Sequence, residues 1–449
     1  MKLFGTVLFA SASLLNGQAA EDVKPVDTTN AVVITTPYID RLFSEGRANN
    51  PSLKAADSRV RSATLNAEAV RTWEDPMAMV GGSVYSSRGF NPSEDGNLAY
   101  GVEQKLPLWG RQNLARNVAE TESSVREAEV NYRAHQLRSD LTKALILTAL
   151  AETVVRVGEE DLAWLEATAK ATENKYRAGQ AALADTLQLQ NEVAKRNDAL
   201  LTDRRRLAHE HFTLNRLLNR DASSGWPSLK LPPLAPEIPL SAKLLALALQ
   251  NEPKLKVLDQ GIKQAGASAE LTRKMRLPDV GLGIEGRQFS GDGGFRSGMF
   301  TLRFSLPWAN GGKYRKDYER DKAKQKSVEQ EREDQILMVR EELHHLAVGV
   351  EAMRRAALLH SDEIAHRAMQ ALTSRVSEWE AGHGAFRDVL DARRMLLESQ
   401  LMSARATAEE HQMLAEMLLW TGLENLEAIT ALASEPPLLQ DHEGHGSKP

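Results

Sequence analysis

Asp388 and Asp391 are the carboxylates whose spacing most invites a function. They stand three residues apart in a stretch free of proline and glycine, so a helix would carry both on one face, one turn apart. Such a pair can hold or attract cations, and it is equally at home near a helix N-terminus, where acids are favoured. His442-Glu-Gly-His445 has the composition of a weak copper or zinc site, and also of an ordinary polar chain end. His344-His345 lies in a long helical pattern with no carboxylate partner and reads as a solvated or interhelical pair. Gly281-Leu-Gly283-Ile-Glu-Gly286 fits the dinucleotide fingerprint by letter, but that motif needs a helix after it. Arg287 and the turn residues that follow give none, so these glycines read as small residues in a strand. There is no cysteine, which removes disulfides, thiolate metal sites and cysteine nucleophiles. No Ser/His/Asp order and no HExxH stands out, so an enzyme reading has nothing to rest on and no cofactor is called for.

The elements that must position these groups are long. The chain has 449 residues, 42% hydrophobic and 26% charged but only 5% aromatic, which suits extended helices better than one thick core. Its net charge of −5 gives no reason to expect nucleic acid as a partner. Residues 1–20 read as an export signal: Lys2, an apolar run from Leu3 to Leu15, and small residues at Gly17-Gln18-Ala19-Ala20. No later segment reaches 18 uninterrupted apolar residues, so no transmembrane helix is expected. Export without cysteine fits a bacterial envelope.

The chain is duplicated. Asn50-Pro51-Ser52-Leu53-Lys54 returns as Glu252-Pro253-Lys254-Leu255-Lys256, Asp75-Pro76 as Leu277-Pro278, Leu106-Pro107 as Leu306-Pro307, and Tyr176-Arg-Ala-Gly179 as Trp379-Glu-Ala-Gly382. Asp185 and Leu187 match Asp388 and Leu390. The shift drifts only from 200 to 203, and matches in the same order mark a repeat. A proline-rich linker, 223–240, separates a first copy, 21–222, from a second, 241–432, and a polar tail follows, 433–449. Each copy reads as helix, two strands, a very long helix and a return helix. The spans are Tyr38 to Trp73, Met77 to Ser87, Asn97 to Leu106, Gln112 to Tyr176 and Leu183 to Leu218, then Ala242 to Arg276, Asp279 to Phe289, Arg296 to Leu306, Lys313 to Trp379 and Ala385 to Trp420. At 1.5 Å per residue the long helices reach about 100 Å, twice the others, so an opening and a return helix stacked end to end match one long helix. Ile336, Leu343, Val350, Ala357, Ile364 and Ala371 recur every seven residues, with Val339, Leu346 and Met353 between them, as a coiled-coil seam.

The strands alternate. Phe300, Leu302 and Phe304 interleave with Thr301, Arg303 and Ser305; Leu98, Tyr100 and Val102 interleave with Ala99, Gly101, Glu103 and Lys105. One face suits lipid or a core, the other a wet lumen, a pattern found in membrane β-barrels and also at the edge of a sandwich. Four strands cannot close a barrel, since the smallest need about eight. A barrel therefore demands several chains.

This ordered set resembles the outer-membrane efflux (TolC-type) family over roughly residues 38 to 425. It rests on the duplicated helix–strand–strand–helix unit, the Leu-Pro after each second strand, the two tip sequences, and Gly382-His-Gly-Ala-Phe-Arg-Asp-Val-Leu-Asp-Ala-Arg393. The resemblance implies an α+β membrane protein. Three chains would form a 12-stranded outer-membrane β-barrel continuous with a long periplasmic α-helical barrel. It implies a Gram-negative outer membrane, a homotrimer in contact with outer-membrane lipid, and a passive exit duct served by a periplasmic adaptor (membrane fusion protein) and, through it, an inner-membrane pump. It also implies a periplasmic gate. Asp388 and Asp391 match the family's paired aspartates at the constricted entrance, so three copies would set six carboxylates in a narrow pore, sensitive to pH and cations. Asp185 matches a position that helps hold the entrance closed. Trp379 stands where the family has tyrosine, and Gly384 where it has a basic residue, with Arg387 the nearest substitute. The small-residue turns Ala178-Gly179-Gln180 and Ala381-Gly382-His383 would be adaptor-docking tips. Gln188 stands where the second copy has Asp391, so the gate is expected mainly from the second copy. The tail histidines His442 and His445 and a likeness to the heavy-metal branch point toward metal-ion export, with drugs and other small molecules open. A periplasmic coiled-coil adaptor would need flanking β-rich halves around one hairpin, and a structural coiled coil would need no alternating strands.

Overall fold

The computed structural model describes residues 31–83, 97–238, 241–289 and 294–424. The export segment, the loop Arg88 to Gly96 and the tail with His442 and His445 lie outside the described residues.

Each copy opens with a helix that proline divides in two. Instead of one helix from Tyr38, the first copy has α1 (Thr36–Asn49) and α2 (Pro51–Ala69); the second has α5 (Ala242–Asn251) and α6 (Pro253–Lys274). The cause is the pair Asn50-Pro51 and its counterpart Glu252-Pro253. A residue before proline is pushed out of the helical region, and proline is tolerated only in the first helical turn. Asn50 and Glu252 accordingly have ψ of 123° and cap the next helix, accepting from the backbone N–H of Ser52 and of Leu255. The Asn50 amide also donates to the Leu217 carbonyl at 2.8 Å, pinning the break to the end of the return helix.

The strands are β2 (Met77–Ser83), β3 (Asn97–Lys105), β5 (Val280–Phe289) and β6 (Phe295–Phe304), all antiparallel in the order β2-β3-β5-β6. The two copies thus share one sheet, joined at β3 and β5, with β2 and β6 left as open edges. The register puts Val102 beside Ile284 and Ile284 beside Phe300, while Leu282 faces Leu302. These residues, with Leu98, Tyr100 and Phe304, make an exposed apolar face, and Phe300 is 86% exposed. Glu103, Lys105, Glu285, Arg287 and Arg303 all fall on the opposite face, where Glu103 pairs with Arg303 and Glu285 with Arg287. The glycines of the fingerprint-like run are part of this arrangement. A Cβ on Gly281 would lie 2.8 Å from the Glu103 carboxylate, and one on Gly286 would lie 2.9 Å from the Tyr100 ring. Glycine leaves β5 open for side chains crossing from β3, so the motif serves the sheet.

Short turns after Leu106-Pro107 and Leu306-Pro307 lead into the long helices. At the first, Trp109 donates its indole N–H to the Pro278 carbonyl at 2.8 Å, and Arg111 reaches Asp279 and the carbonyls of Lys274 and Leu277. The head of one copy's helix is thereby fastened to the end of the other copy's α6. The first long helix, α3 (Arg111–Arg177), runs unbroken for 67 residues and returns as α4 (Leu183–Leu218). Its counterpart is α7 (Gly311–Leu358), a six-residue π-helical segment (Leu359–Ile364) and α8 (Ala365–Glu380), returning as α9 (Phe386–Thr421).

That π segment corrects the expected seam. Leu343, Val350 and Ala357 are buried as the heptad requires, but Ile364 and Ala371 are only half-buried, and Ala368 and Leu372 take the buried places. A π turn accommodates an extra residue, so every seam position beyond it moves along by one. His344 and His345 are exposed on α7.

A two-residue strand pair, β1 (Val32–Val33) with β4 (Leu229–Lys230), ties the segment just before α1 to the linker. The core is strung along the molecule in three clusters. One is built around Leu141, Leu145, Leu214 and Leu218, a second around Leu343, Val350, Leu414 and Met417, and a third near the hairpin tips around Leu165, Leu189, Phe386, Val389 and Leu396.

Candidate functional site at the hairpin tips

Both tips are turns closed by glycine. Gly179 and Gly382 have φ of 74° and 78°, a conformation that costs other residues strain, and each is the end of its helix. The Gln180 N–H returns to the Lys175 carbonyl at 2.8 Å, and the His383 N–H to the Glu378 carbonyl at 2.9 Å. Ala178, Gly179, Gln180, Ala381, Gly382 and His383 are all exposed.

Just inside the second tip, Phe386 is buried and meets the Trp379 ring edge-on, with centroids 5.1 Å apart. The Lys175 ammonium stands 4.0 Å over the same indole. Trp379 thus joins the end of α3 to the end of α8 through its ring, a role that the loss of a tyrosine hydroxyl leaves intact.

The sequence-selected acids are at the heads of the return helices. Asp388 and Asp391 are exposed on the first two turns of α9, and Asp185 is partly exposed in the first turn of α4. Asp391 is paired: Arg394 donates to it at 3.3 Å and Arg387 approaches to 4.0 Å. Arg387 therefore meets an acid of its own helix, not a neighbouring helix, and is 80% exposed there. Among the described residues neither Asp388 nor Asp185 has an ion-pair partner.

The polar links between the two copies lie deeper. Arg394 reaches across to Glu192 of α4 at 2.9 Å. Partial burial acts to raise the Glu192 pKa, and hydrogen bonds from Arg394 and Lys195 overcome it, holding the carboxyl below its usual range. On α3, Asp161 is buried and takes two arginines: Arg393 of α9 at 3.0 Å and Arg196 of α4 at 3.3 Å. Arg393 also stacks over Trp164 at 5.1 Å, and Arg196 donates to the Gly158 carbonyl. Gly158 is where this approach happens, since a Cβ there would lie 3.1 Å from both the Arg196 guanidinium and Leu200.

Asp161, Arg196, Glu192, Arg393 and Arg394 are the residues that sequence reasoning passed over. Arg393 ended the stretch that carried the resemblance, and Gly158 was the lone glycine of an otherwise unbroken helix. Their partners lie up to 232 residues away, beyond the reach of any local pattern. No cluster of three or more metal-ligating side chains occurs among the described residues.

The arrangement is two long helical hairpins clamped together near their tips, standing under a shared sheet with one apolar and one charged face. Solved structures share this fold. The outer membrane protein VceC of Vibrio cholerae matches with a TM-score of 0.71 at 18% identity, over 86% of this chain and 96% of its own. The CmeC outer membrane channel of Campylobacter jejuni matches at 0.75 and 13%, over 93% of both chains. The open-state MtrE outer membrane channel of Neisseria gonorrhoeae matches at 0.69 and 19%, over 86% of this chain and 89% of its own. No curated protein sequence matches the chain. The family model for outer membrane efflux proteins matches twice, over residues 42–220 and 244–422, once for each copy. The chain belongs to the outer membrane efflux protein family and has the fold of its outer-membrane channels.

Proposed function

We propose that this protein works as a homotrimeric exit duct: three open sheets close one 12-stranded barrel and three pairs of hairpins close one helical tunnel beneath it. The observation that carries this reading is the four-stranded sheet itself. Its outward face is exposed and apolar, its inward face holds the Glu103–Arg303 and Glu285–Arg287 pairs, and both its edges are unpaired among the described residues. An open apolar edge of this kind is an aggregation hazard in water and is removed by closure with other copies in lipid. The duct is passive. Energy comes from an inner-membrane pump, reached through a periplasmic adaptor that seats on the exposed tips Ala178 to Gln180 and Ala381 to His383.

The periplasmic entrance is the gate. Asp388 and Asp391 from three chains ring it as six carboxylates, which draw cations in and repel each other when the ring narrows. Trp379 holds the tip of the second hairpin against Lys175, and Arg387 and Arg394 moderate the charge of Asp391. Asp185 adds the first copy's acid. Extraction from outer membranes in mild detergent should give a trimer, read by light scattering; a soluble monomer after removal of the export segment would overturn the duct. The cargo is to be read from the pump that co-purifies with the channel.

A further inference from the structure

We infer that the second copy carries a collar that binds anionic phospholipid headgroups at the periplasmic edge of the barrel. The apolar lipid-facing band of β6, Phe300 to Phe304, does not stop at the end of the strand. Leu306 and Trp308 continue it, both exposed, and Trp308 is 63% exposed at the point where the chain turns into α7. An indole in that place belongs at the level of the lipid headgroups, where a ring with one polar edge is favoured over both water and hydrocarbon.

The residues that come next are basic. The first turns of α7 hold Lys313, Arg315 and Lys316, with no acid in the first turn. Positive charge at a helix N-terminus works against the helix dipole, so the helix end gains nothing from their placement. Nor do they serve the protein around them. Arg315 and Lys316 share one carboxylate, Glu319, and remain 71% and 73% exposed, while Lys313 is 5.7 Å above its own neighbour Tyr314. At the head of α3, by contrast, Arg111 is spent on Asp279 and the carbonyls of α6. The two copies differ in charge over the same stretch. Residues 313–326 carry seven lysines and arginines against three acids, and their counterparts 113–126 carry two of each.

A cationic patch continuous with a lipid-facing band fits one partner, a lipid with a phosphate-bearing anionic headgroup and acyl chains. Juxtamembrane lysines and arginines are drawn to an anionic surface, and the attraction fades within a Debye length of about 8 Å. The collar is therefore Lys313, Arg315 and Lys316 with Trp308, and the lower lysines of α7 are beyond reach.

The test uses the full-length channel in nanodiscs of phosphatidylcholine with one quarter phosphatidylglycerol, bromine being placed on the chains of one lipid or the other. Quenching of the fluorescence lost in Trp308→Phe should favour brominated phosphatidylglycerol roughly fivefold, corresponding to about 1 kcal/mol. The preference should vanish in K313Q/R315Q/K316Q and, for the unaltered protein, on raising salt from low to high. Inorganic phosphate should not compete. Equal quenching by both lipids, a preference that survives the triple substitution, or displacement by phosphate would each overturn the collar. This inference rests on the barrel standing in lipid, and failure of that reading is distinct: neither brominated lipid would then quench Trp308.

Discussion

The two hairpins descend from one unit and have come to differ in helical continuity and in charge. The first is one unbroken helix of 67 residues against its return; the second spends three more residues over the same course and passes them through a π segment. The first offers Asp185 and Gln188 at the head of its return helix, and the second Asp388 and Asp391 at the same places. Where the first has Leu207 and Ala208, the second buries Glu410 and His411. The first hairpin supplies the fixed acceptors, Asp161 and Glu192; the second supplies the arginines that reach across to them. We read the first as frame and the second as the element held against it.

The link at Asp161 is the first place to break that relation. Arg393→Met removes the arginine that comes from the other copy and leaves Asp161 with Arg196 alone, which should cost up to about 3 kcal/mol, the upper scale for one hydrogen bond to a charged group. It should lower the melting temperature of extracted trimers and raise single-channel conductance by loosening the second hairpin. Arg196→Met removes the partner from the first hairpin itself and should cost stability with little change in conductance. Equal conductance changes from both would refute the division into frame and held element.

Glu410 offers a sharper comparison, because its counterpart is Leu207. Its side chain is fully buried between α9, the linker and α7, and neither carboxylate oxygen has a hydrogen-bond partner of good geometry. Burial pushes its pKa up to about 7, against smaller pulls from the Ala235 backbone N–H and Arg354. The folded state therefore binds a proton that the unfolded chain has already lost between pH 4.5 and about 7. Stability falls as pH rises through that window and is flat above it. His411 beside it, held to the Pro233 carbonyl at 2.9 Å, has its pKa lowered by burial and acts in the opposite sense, favouring the fold as pH rises toward 6.5. Glu410→Gln should remove the first effect alone, stabilising the protein by about 3 kcal/mol at pH 8 and hardly at all at pH 4.5. Melting curves at the two values check it, and a pH-independent gain would show the carboxyl to be ionised throughout.

How far the sequence foretold this architecture depends on the range of the interactions. Helix starts and ends were legible because proline, glycine and capping residues act locally: α4 is Leu183–Leu218, as its pattern predicts. The strands were legible because alternation is a property of adjacent residues. The breaks at Asn50-Pro51 and Glu252-Pro253 were equally local, but long apolar periodicity masked them. The π segment was visible only as a drift of the repeat shift from 200 to 203, a change of length whose place nothing local marks. The tips and the acids Asp388 and Asp391 could be picked by motif. The clamp of Asp161, Arg196 and Arg393 could not, because it joins three helices and two copies.

Gly158 tests whether closeness of the first hairpin matters as much as charge. Gly158→Ala puts a methyl 3.1 Å from Arg196 and Leu200, and the guanidinium must retreat from Asp161. A cost of about 1–2 kcal/mol is expected, the scale of mild overpacking in a packed seam. If the clamp is what suffers, Gly158→Ala should add little to Arg196→Met in the double variant. Full additivity would make the crowding independent of the clamp.

The smallest expected effect bears on the gate. If the second copy carries the entrance charge, Asp388→Asn with Asp391→Asn should weaken block of single-channel current by divalent cations by roughly tenfold, about 1.4 kcal/mol of binding. Asp185→Asn should change it by no more than about twofold, since one of its two acidic positions is already Gln188. Gln188→Asp restores the missing charge. If the copies differ at the gate only by that residue, Gln188→Asp should strengthen block in the native background and recover part of it when Asp391 is asparagine. Recovery requires that α4 and α9 bring their first turns to the same ring. Should Gln188→Asp leave the block unchanged in both backgrounds, only α9 lines the entrance, and the frame hairpin stands behind it.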